Sequence, residues 1–252
     1  MNEVLQADIY KYGLLTYFEI FNLSCEDCIL MPTILKLDNL SKMLPDLTRL
    51  EESLRKKGFN YIAGVDEVGR GPLAGPVVAA AVIFPPGVTV EGLDDSKKLS
   101  ARRRDILFDE IAASGAICSV GIIDNFTIDR INILKASLMA MRKAVVSLAR
   151  KPEFIIVDGI YTIPNVDIPQ LAIAGGDALR NSISAASIIA KVTRDRIMDR
   201  YEELYPDFAF ATHRGYPTKQ HLDELMQYGP TEIHRRSFRP VEEALKQTSL
   251  NF

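Results

Sequence analysis

Acidic residues follow three separate apolar segments of the sequence, each close to the point where the segment ends. These acids are Asp66, Glu67, Asp158 and Asp177. In α/β sheets, ligands bind at the carboxyl ends of the strands, and carboxylates gathered there repel one another unless divalent cations lie between them. Hard oxygen ligands favour Mg²⁺ or Mn²⁺ over zinc. The pattern therefore predicts a divalent metal site, although each acid taken alone is equally consistent with a turn residue or a helix cap.

The neighbouring acids Asp66 and Glu67 can belong to one site only under a condition on the backbone. Successive residues of a strand point to opposite faces, so the strand must bend or end where these two stand. Gly69 and Gly71 follow closely and would permit such a bend.

The segment Gly69–Gly75, with the sequence GRGPLAG, resembles a nucleotide-binding loop but lacks its full pattern. A dinucleotide fingerprint needs a third glycine where Ala74 stands and a helix that begins in the loop, whereas the β-rich run Val77–Phe84 follows here. The sequence also contains no Walker A motif and no serine in a nucleophile-elbow context. What the loop offers is bare backbone that can approach a sugar–phosphate chain closely, beside the guanidinium of Arg70.

Short apolar runs alternate with helical periodicities from residue 61 onward. The runs typical of buried strands are Tyr61–Val65, Val77–Phe84, Ile117–Ile123, Phe154–Val157 and Leu171–Ala174. The helical segments are Ser100–Gly115, with Ser100 as its N-cap, Thr127–Arg150 and Ser182–Leu204. Strands that lead and helices that interleave predict an α/β domain with a mixed central sheet flanked by helices, in which the first two strands form a hairpin.

The two ends of the chain differ from this central part. Residues 1–58 are predicted to form a partly helical N-terminal extension, because Leu47, Leu50 and Leu54 have helical spacing. Met31 is an alternative start of the protein. The central domain is predicted to span residues 59–240 and to include C-terminal helices, and residues 241–252 form a C-terminal helical tail.

The overall charge excludes one class of nucleic-acid-binding protein. A net charge of −3 with a pI near 5.7 is not that of a protein that coats nucleic acid through bulk positive charge, so any phosphate contact must be local. Basic runs occur at residues 191–200 and 234–236, and each alone is interpreted as a solvated helix face or loop. No stretch is apolar for long enough to cross a bilayer of ~30 Å, and no signal sequence is recognisable, so a cytoplasmic protein is expected.

The three cysteines of the chain are interpreted as reduced thiols. Cys25 and Cys28 form a lone C-x-x-C, which could be half of a zinc site or a redox pair, but a second ligand pair at suitable spacing is missing. Cys118 lies inside an apolar run and is predicted to pack in the core.

Five sequence motifs together resemble bacterial ribonuclease HII, of the type 2 ribonuclease H family. They are Gly64–Gly75 (GVDEVGRGPLAG), Asp95–Leu99 (DSKKL), Ile155–Gly159 (IIVDG), Ala185–Asp195 (AASIIAKVTRD) and His213–Tyr216 (HRGY). The resemblance extends from about Tyr61 to Pro240 and implies a ribonuclease H-like fold with residues 59–240 as the catalytic domain. The chain departs from the family where many members have Lys at the position of Gly175 and some have Ser at that of Arg180. Both positions flank Asp177, and they bear on the local loop contacts and on substrate preference.

The resemblance implies a metal-dependent endonuclease that hydrolyses the RNA strand of RNA–DNA hybrids. It also implies cleavage 5′ of single ribonucleotides embedded in duplex DNA, as in ribonucleotide excision repair, with 3′-hydroxyl and 5′-phosphate products. The residues that it assigns to two Mn²⁺ or Mg²⁺ ions are Asp66, Glu67, Asp158 and Asp177. Those expected to bind substrate are Gly69, Arg70, Gly71 and Tyr216, with Lys97 as a phosphate contact.

Two other functions remain open on the sequence alone. Another metal nuclease or integrase of the same superfold would share the acids but lack the glycine loop and Tyr216. A non-catalytic module that binds hybrids would be expected to have lost carboxylates and to be more basic.

The end of the chain suggests a protein partner. Gln247, Leu250 and Phe252 have the spacing of peptides that dock on bacterial sliding clamps as extended segments. The alternative is a frayed terminus in which Leu250 and Phe252 pack back on the domain. The protein itself is expected to be a monomer.

Overall fold

A six-stranded mixed β-sheet forms the centre of the protein in a computed structural model that describes residues 35–36, 50–94, 96–175 and 182–250. Its strands are β1 Leu35–Lys36, β2 Ile62–Val68, β3 Val77–Ile83, β4 Ile117–Ile123, β5 Phe154–Asp158 and β6 Gln170–Ala174. Their order across the sheet is β1-β6-β5-β2-β3-β4. The pairs β2–β3 and β3–β4 are antiparallel, and the pairs β2–β5, β5–β6 and β6–β1 are parallel. The structure confirms the predicted mixed sheet and the predicted hairpin, which is formed by β2 and β3.

Helices cover both faces of this sheet. They are α1 Leu50–Lys56, α2 Ala101–Ala113, α3 Asn125–Ile131, α4 Ile133–Val146, α5 Ser182–Leu204, α6 Phe210–His213, α7 Lys219–Tyr228 and α8 Arg239–Leu250. The predicted N-cap of α2 is confirmed, because the Ser100 side chain accepts a hydrogen bond from the N–H of Arg103.

The prediction of one continuous helix from Thr127 to Arg150 is wrong. Asn132 interrupts it with a φ of 70° and a ψ of 163°, a positive-φ conformation that lies outside the helical regions. Its side-chain oxygen then accepts a hydrogen bond from the N–H of Lys135 and caps α4. The apolar periodicity continues across the break, which is why the pattern did not reveal it.

Two glycines let the helices approach the sheet closely. A Cβ at Gly121 in β4 would lie 2.0 Å from the carbonyl oxygen of Ala140 in α4. A Cβ at Gly64 in β2 would lie 2.2 Å from the carbonyl carbon of Ser182, at the start of α5. Larger residues would therefore displace a helix from either face of the sheet.

Part of the predicted N-terminal extension is tied to the start of α5. In α1, Leu50 and Leu54 are buried, and Glu51 accepts hydrogen bonds from the backbone N–H and the hydroxyl of Ser182 at 2.9 and 2.6 Å. A carboxylate at this position satisfies donors that a helix leaves unpaired at its N-terminus. Helix α1 therefore fixes the point at which α5 begins.

The C-terminal helix α8 packs on the domain through Val241, Ala244 and Leu245. Val241 and Ala244 are buried in an apolar cluster with Leu73 and Leu225. The backbone of residues 247–250 continues the helix, and residues 251–252 lie outside the described part of the chain.

Two observations bear on the remaining sequence predictions. Within the described ranges, the helices are too short or too polar to cross a membrane. Cys118 packs against a core cluster, and burial raises the pKa of its thiol to about 11, whereas Cys25 and Cys28 lie outside the described residues.

Candidate active site

Three of the four predicted acids line one cavity at the carboxyl ends of two central strands of the sheet, β2 and β5. Parallel pairing of β2 with β5 ends at Val65 and Val157, so the strands separate just before Asp66 and Asp158. The cavity in this opening has a volume of about 210 Å³. Its lining residues are Asp66, Glu67, Val68, Ser96, Lys97, Asp158, Ser187, Lys191 and Tyr216.

The local backbone differs from prediction in one respect. Strand β2 continues to Val68 and does not end at Val65, so Asp66 and Glu67 lie within the strand. Both side chains nevertheless border the same cavity, because β2 has no partner beyond Val65 on the side of β5. The N–H of Glu67 donates to Oδ1 of Asp66 at 2.7 Å, and this hydrogen bond holds the carboxylate of Asp66 where β2 and β5 separate.

Charge repulsion and burial act together on the acids. The side chain of Asp66 is almost fully buried, and burial, followed by the negative charges of Asp158 and Glu67, raises the pKa of its carboxyl well above the usual value. Burial also raises the pKa of Glu67, an effect that the guanidinium of Arg70, at 3.2 Å from Oε1 of Glu67, partly offsets. A cation between these carboxylates would remove the repulsion.

The donor chemistry of the site fits a hard divalent cation. Asp66, Glu67 and Asp158 supply only carboxylate oxygens, the ligand type that Mg²⁺ and Mn²⁺ prefer. Within the described residues, no three acidic, histidine or cysteine side chains converge closely enough to hold an ion by themselves. The remaining predicted ligand, Asp177, lies outside those residues.

Two of the five predicted substrate-binding residues line the same cavity, and the other three lie in the adjoining loop. Lys97 and Tyr216 line it, and Gly69, Arg70 and Gly71 follow directly after β2. A Cβ at Gly71 would lie 3.5 Å from Cε1 of Tyr216, so the exposed glycine backbone lies beside the tyrosine ring.

Three polar residues that line the cavity were not predicted from the sequence. Ser96 and Ser187 share a hydrogen bond of 2.8 Å, and Lys191 pairs with Asp195 at 2.7 Å while burial lowers the pKa of its ammonium group. Ser187 and Lys191 are one turn apart on α5, so their spacing places them on the same face of the helix. The sequence alone does not reveal that this is the face that borders the acids.

The three histidines of the chain form a buried cluster behind Tyr216. The N–H of Thr231 donates to Nδ1 of His234, so neutral His234 carries its proton on Nε2 and can donate it to Nε2 of His221 at 3.1 Å. Nδ1 of His221 then donates to the carbonyl oxygen of Tyr216 at 2.9 Å. This chain of donors fixes the backbone of Tyr216, and it requires both imidazoles to be neutral.

We expect acid to destabilise the fold through this cluster. Burial, followed by the charge of His213, lowers the pKa of His221 to about 4, and burial, followed by the charge of His221, lowers that of His234 to about 3. An unfolded histidine has a pKa of ~6.5, so the unfolded state binds protons first as the pH falls. The neutral histidines therefore stabilise the fold fully above pH ~6.5. As the pH falls from there through 4, the free energy of unfolding should decrease progressively, by several kcal/mol in all.

Urea unfolding of the wild type and of His234→Asn between pH 7.5 and 5 measures this effect. The variant should be less stable at pH 7.5 but should lose less further stability on acidification. Equal pH slopes for the two proteins would show that the cluster is not the source of acid sensitivity.

Known proteins of one family are similar to this chain over most of its length. The model of the family described as ribonuclease HII matches residues 63–241. The ribonuclease HII of Geobacter metallireducens is 51% identical over 197 residues, which cover 78% of this chain and 92% of that protein.

Solved structures with this fold are similar as well. The ribonuclease H2 of Pyrococcus horikoshii is 29% identical with a TM-score of 0.62, covering 75% of this chain and 99% of that one. The structure of a PCNA:RNase HII complex from Archaeoglobus fulgidus gives 27% identity and a TM-score of 0.59, covering 71% of this chain and 95% of that one.

Proposed function

Since the chain belongs to the ribonuclease HII family, whose members are endoribonucleases that hydrolyse the RNA of RNA–DNA hybrids, we propose that it also cuts 5′ of single ribonucleotides embedded in duplex DNA. The products would carry 3′-hydroxyl and 5′-phosphate ends. The observation that carries this proposal is that Tyr216 lines one cavity with Asp66, Glu67 and Asp158, while Gly71 of the adjoining glycine loop lies beside the Tyr216 ring. The carboxylates supply a place for hydrolysis, and the exposed backbone and ring beside them supply a place to recognise a sugar.

The carboxylates would hold two Mg²⁺ or Mn²⁺ ions, with Asp177 as the further ligand implied by the family. When bound, such ions supply an activated water and neutralise charge that develops on the leaving 3′-oxygen. The buried position of Asp66 keeps its carboxylate in place, and Arg70 holds that of Glu67 through a 3.2 Å ion pair. The protein thus presents its oxygen ligands in a fixed arrangement before substrate arrives.

Substrate recognition would depend on the other wall of the cavity. Within the loop Gly69–Gly71, Arg70 and Gly71 are exposed and Gly71 lies beside the Tyr216 ring, where the loop N–H groups could bind the 2′-hydroxyl that distinguishes RNA from DNA. The ring of Tyr216 would pack on the neighbouring sugar or base, and exposed Lys97 would contact phosphate. These local contacts suit a chain whose net charge of −3 gives no general attraction to DNA.

A panel of labelled duplexes, each tested with Mg²⁺ and with Mn²⁺, examines this proposal. The duplexes share one sequence and contain either DNA only, one ribonucleotide, or a full RNA strand. We expect a single cut on the 5′ side of the lone ribonucleotide, an end that a polymerase can extend, and no cut in the DNA duplex. Equal cleavage of the DNA duplex would instead indicate a different metal nuclease, and cleavage of the full hybrid alone would refute the proposed single-ribonucleotide activity.

We further propose that the C-terminus docks on a sliding clamp, which would bring the enzyme to newly replicated DNA in the cytoplasm. The support is the Gln247–Phe252 pattern together with the similarity to an RNase HII solved in complex with PCNA. Because residues 247–250 are helical, docking as an extended peptide requires the last turn of α8 to unwind. The described apolar contacts of α8 are made by Val241, Ala244 and Leu245, which precede the segment that would unwind.

A labelled peptide of residues 240–252 should bind the sliding clamp of the source organism, and the double variant Gln247→Ala/Phe252→Ala should not. Fluorescence anisotropy at concentrations up to tens of micromolar measures both, a range in which a weak but specific peptide binds detectably. No binding in that range, or equal binding by the double variant, would remove the clamp as a partner.

A further inference from the structure

We infer that Arg235 is a positioning residue that makes the enzyme selective for ribonucleotides, because it turns the N–H groups of Arg70 and Gly71 toward the substrate. The inference rests on the proposed function, in which this loop reads the 2′-hydroxyl. Arg235 itself does not border the cavity that contains the acids.

Arg235 is bound to the loop from the interior of the protein. Its side chain is fully buried, and its guanidinium donates to the carbonyl oxygens of Gly69 at 2.6 Å, Arg70 at 3.1 Å and Gly75 at 3.0 Å. The described residues form no ion pair with it, so backbone carbonyls take the place of a carboxylate partner. Burial lowers the pKa of this guanidinium to about 9, and it therefore remains charged at neutral pH.

The orientation of the loop donors follows from the planarity of the peptide bond. In a trans peptide the C=O of one residue and the N–H of the next point in opposite directions. The carbonyls of Gly69 and Arg70 point inward to Arg235, so the N–H groups of Arg70 and Gly71 point outward. Both residues are exposed, and neither N–H donates to an acceptor in the described chain.

The backbone around Arg235 locks this arrangement. The N–H of Arg235 donates to the carbonyl of Leu73 at 2.8 Å, and the N–H of Gly75 donates to that of Ile233 at 2.9 Å. These backbone hydrogen bonds fix the position of the guanidinium relative to the loop Gly69–Gly71. A lysine could not replace it, because one ammonium group cannot reach three carbonyls that match the planar fork of arginine.

A second buried arginine provides a matched control. Arg194 is also fully buried and also donates to three carbonyls, but these belong to Pro76, Ala74 and Arg214. Arg194 also lies next to the recognition residues, since a Cβ at Gly69 would be 2.4 Å from its Nε and its guanidinium is 6.0 Å from the Tyr216 ring centroid. Arg194→Lys therefore perturbs the same neighbourhood and removes a comparable buried network, but it leaves the carbonyls of Gly69 and Arg70 bound to Arg235. The two lysine variants should lose similar stability in thermal unfolding.

The test compares binding of two duplexes that differ in a single 2′-hydroxyl. Fluorescence anisotropy gives the Kd of the wild type, Arg235→Lys and Arg194→Lys for each duplex, with Ca²⁺ in place of Mg²⁺ and a gel to verify that the duplexes stay uncut. The ratio of the two Kd values is independent of the fraction of protein that is folded. We expect Arg235→Lys to reduce the wild-type preference for the ribonucleotide by about tenfold, as for loss of one hydrogen bond, with little change in affinity for the DNA duplex.

Distinct outcomes separate this inference from the proposed function. If the wild type shows neither preference for the ribonucleotide nor cleavage at it, the proposed function fails. If the wild type has both and folded Arg235→Lys keeps the preference, or Arg194→Lys loses it equally, the inference alone is overturned.

A measurement on the wild type keeps the inference testable should Arg235→Lys not fold. The amide NMR signals of Arg70 and Gly71 should shift on addition of the ribonucleotide duplex and not with the DNA duplex. Identical shifts with both duplexes would contradict the assigned role.

Discussion

Asp66→Asn should abolish cleavage of every ribonucleotide-containing substrate, with a loss of at least ~1,000-fold in kcat, while the protein remains folded. The expected size follows from the loss of metal ligation, which stabilises the transition state by several kcal/mol, at tenfold in rate per ~1.4 kcal/mol. Single-turnover cleavage at saturating Mg²⁺ measures it. A variant that kept near-normal cleavage under these conditions would remove Asp66 from the set of metal ligands.

The same substitution should stabilise the metal-free fold. A carboxyl whose pKa is raised on folding opposes folding once the pH exceeds its unfolded value, because the folded protein must then keep a buried carboxylate close to Asp158. At pH 7 the neutral amide removes this opposition. Urea unfolding with EDTA should therefore show a higher midpoint for Asp66→Asn. The control is Asp109→Asn, an exposed acid of α2 that should change neither cleavage nor stability.

Tyr216→Ala should reduce turnover at a single embedded ribonucleotide by about 10- to 100-fold, the range expected from loss of one stacking contact. Duplex binding should weaken far less, because the stacking orients the junction between ribonucleotide and DNA for cleavage. The backbone of this residue should not move, since its carbonyl is held by His221 and its N–H by the carbonyl of His213.

Tyr216→Phe is the matched variant for that prediction. It keeps the ring that packs beside Gly71, so it should retain most of the turnover, measured as kcat and KM on the same substrate. Unchanged turnover in Tyr216→Ala would show that Tyr216 is only a structural aromatic. Equal losses in both variants would assign the effect to the hydroxyl group.

The strands of this protein, and the meeting of Asp66, Glu67 and Asp158 at one cavity, were predictable because they depend on local sequence. An apolar run such as Phe154–Val157 is typical of a buried strand, and an acid at the end of such a run lies at the carboxyl end of the sheet, where α/β proteins bind ligands. The interruption at Asn132 was missed because a single residue with a positive φ leaves the apolar pattern on either side intact.

Other features were not predictable because their partners come from distant segments. Arg235 belongs to a basic run that was interpreted as a solvated surface, and that interpretation is wrong for this residue, which is fully buried. The carbonyls that it binds lie more than 150 residues earlier in the chain. The contact between His221 and His234 likewise depends on how α7 packs, which no local pattern contains.

The separation between Arg235 and the loop that it binds also has a consequence for synthesis of the protein. A ribosome releases the chain from its N-terminus, so Gly69 and Arg70 emerge long before the residue that holds them, 166 and 165 positions later. The sheet can assemble from earlier segments, but closing so long a loop has to wait for the C-terminal part. We therefore expect nascent chains that end before residue 235 to contain the carboxylates of β2 and β5 without an ordered recognition loop, so that selective cleavage is acquired only when translation is almost complete.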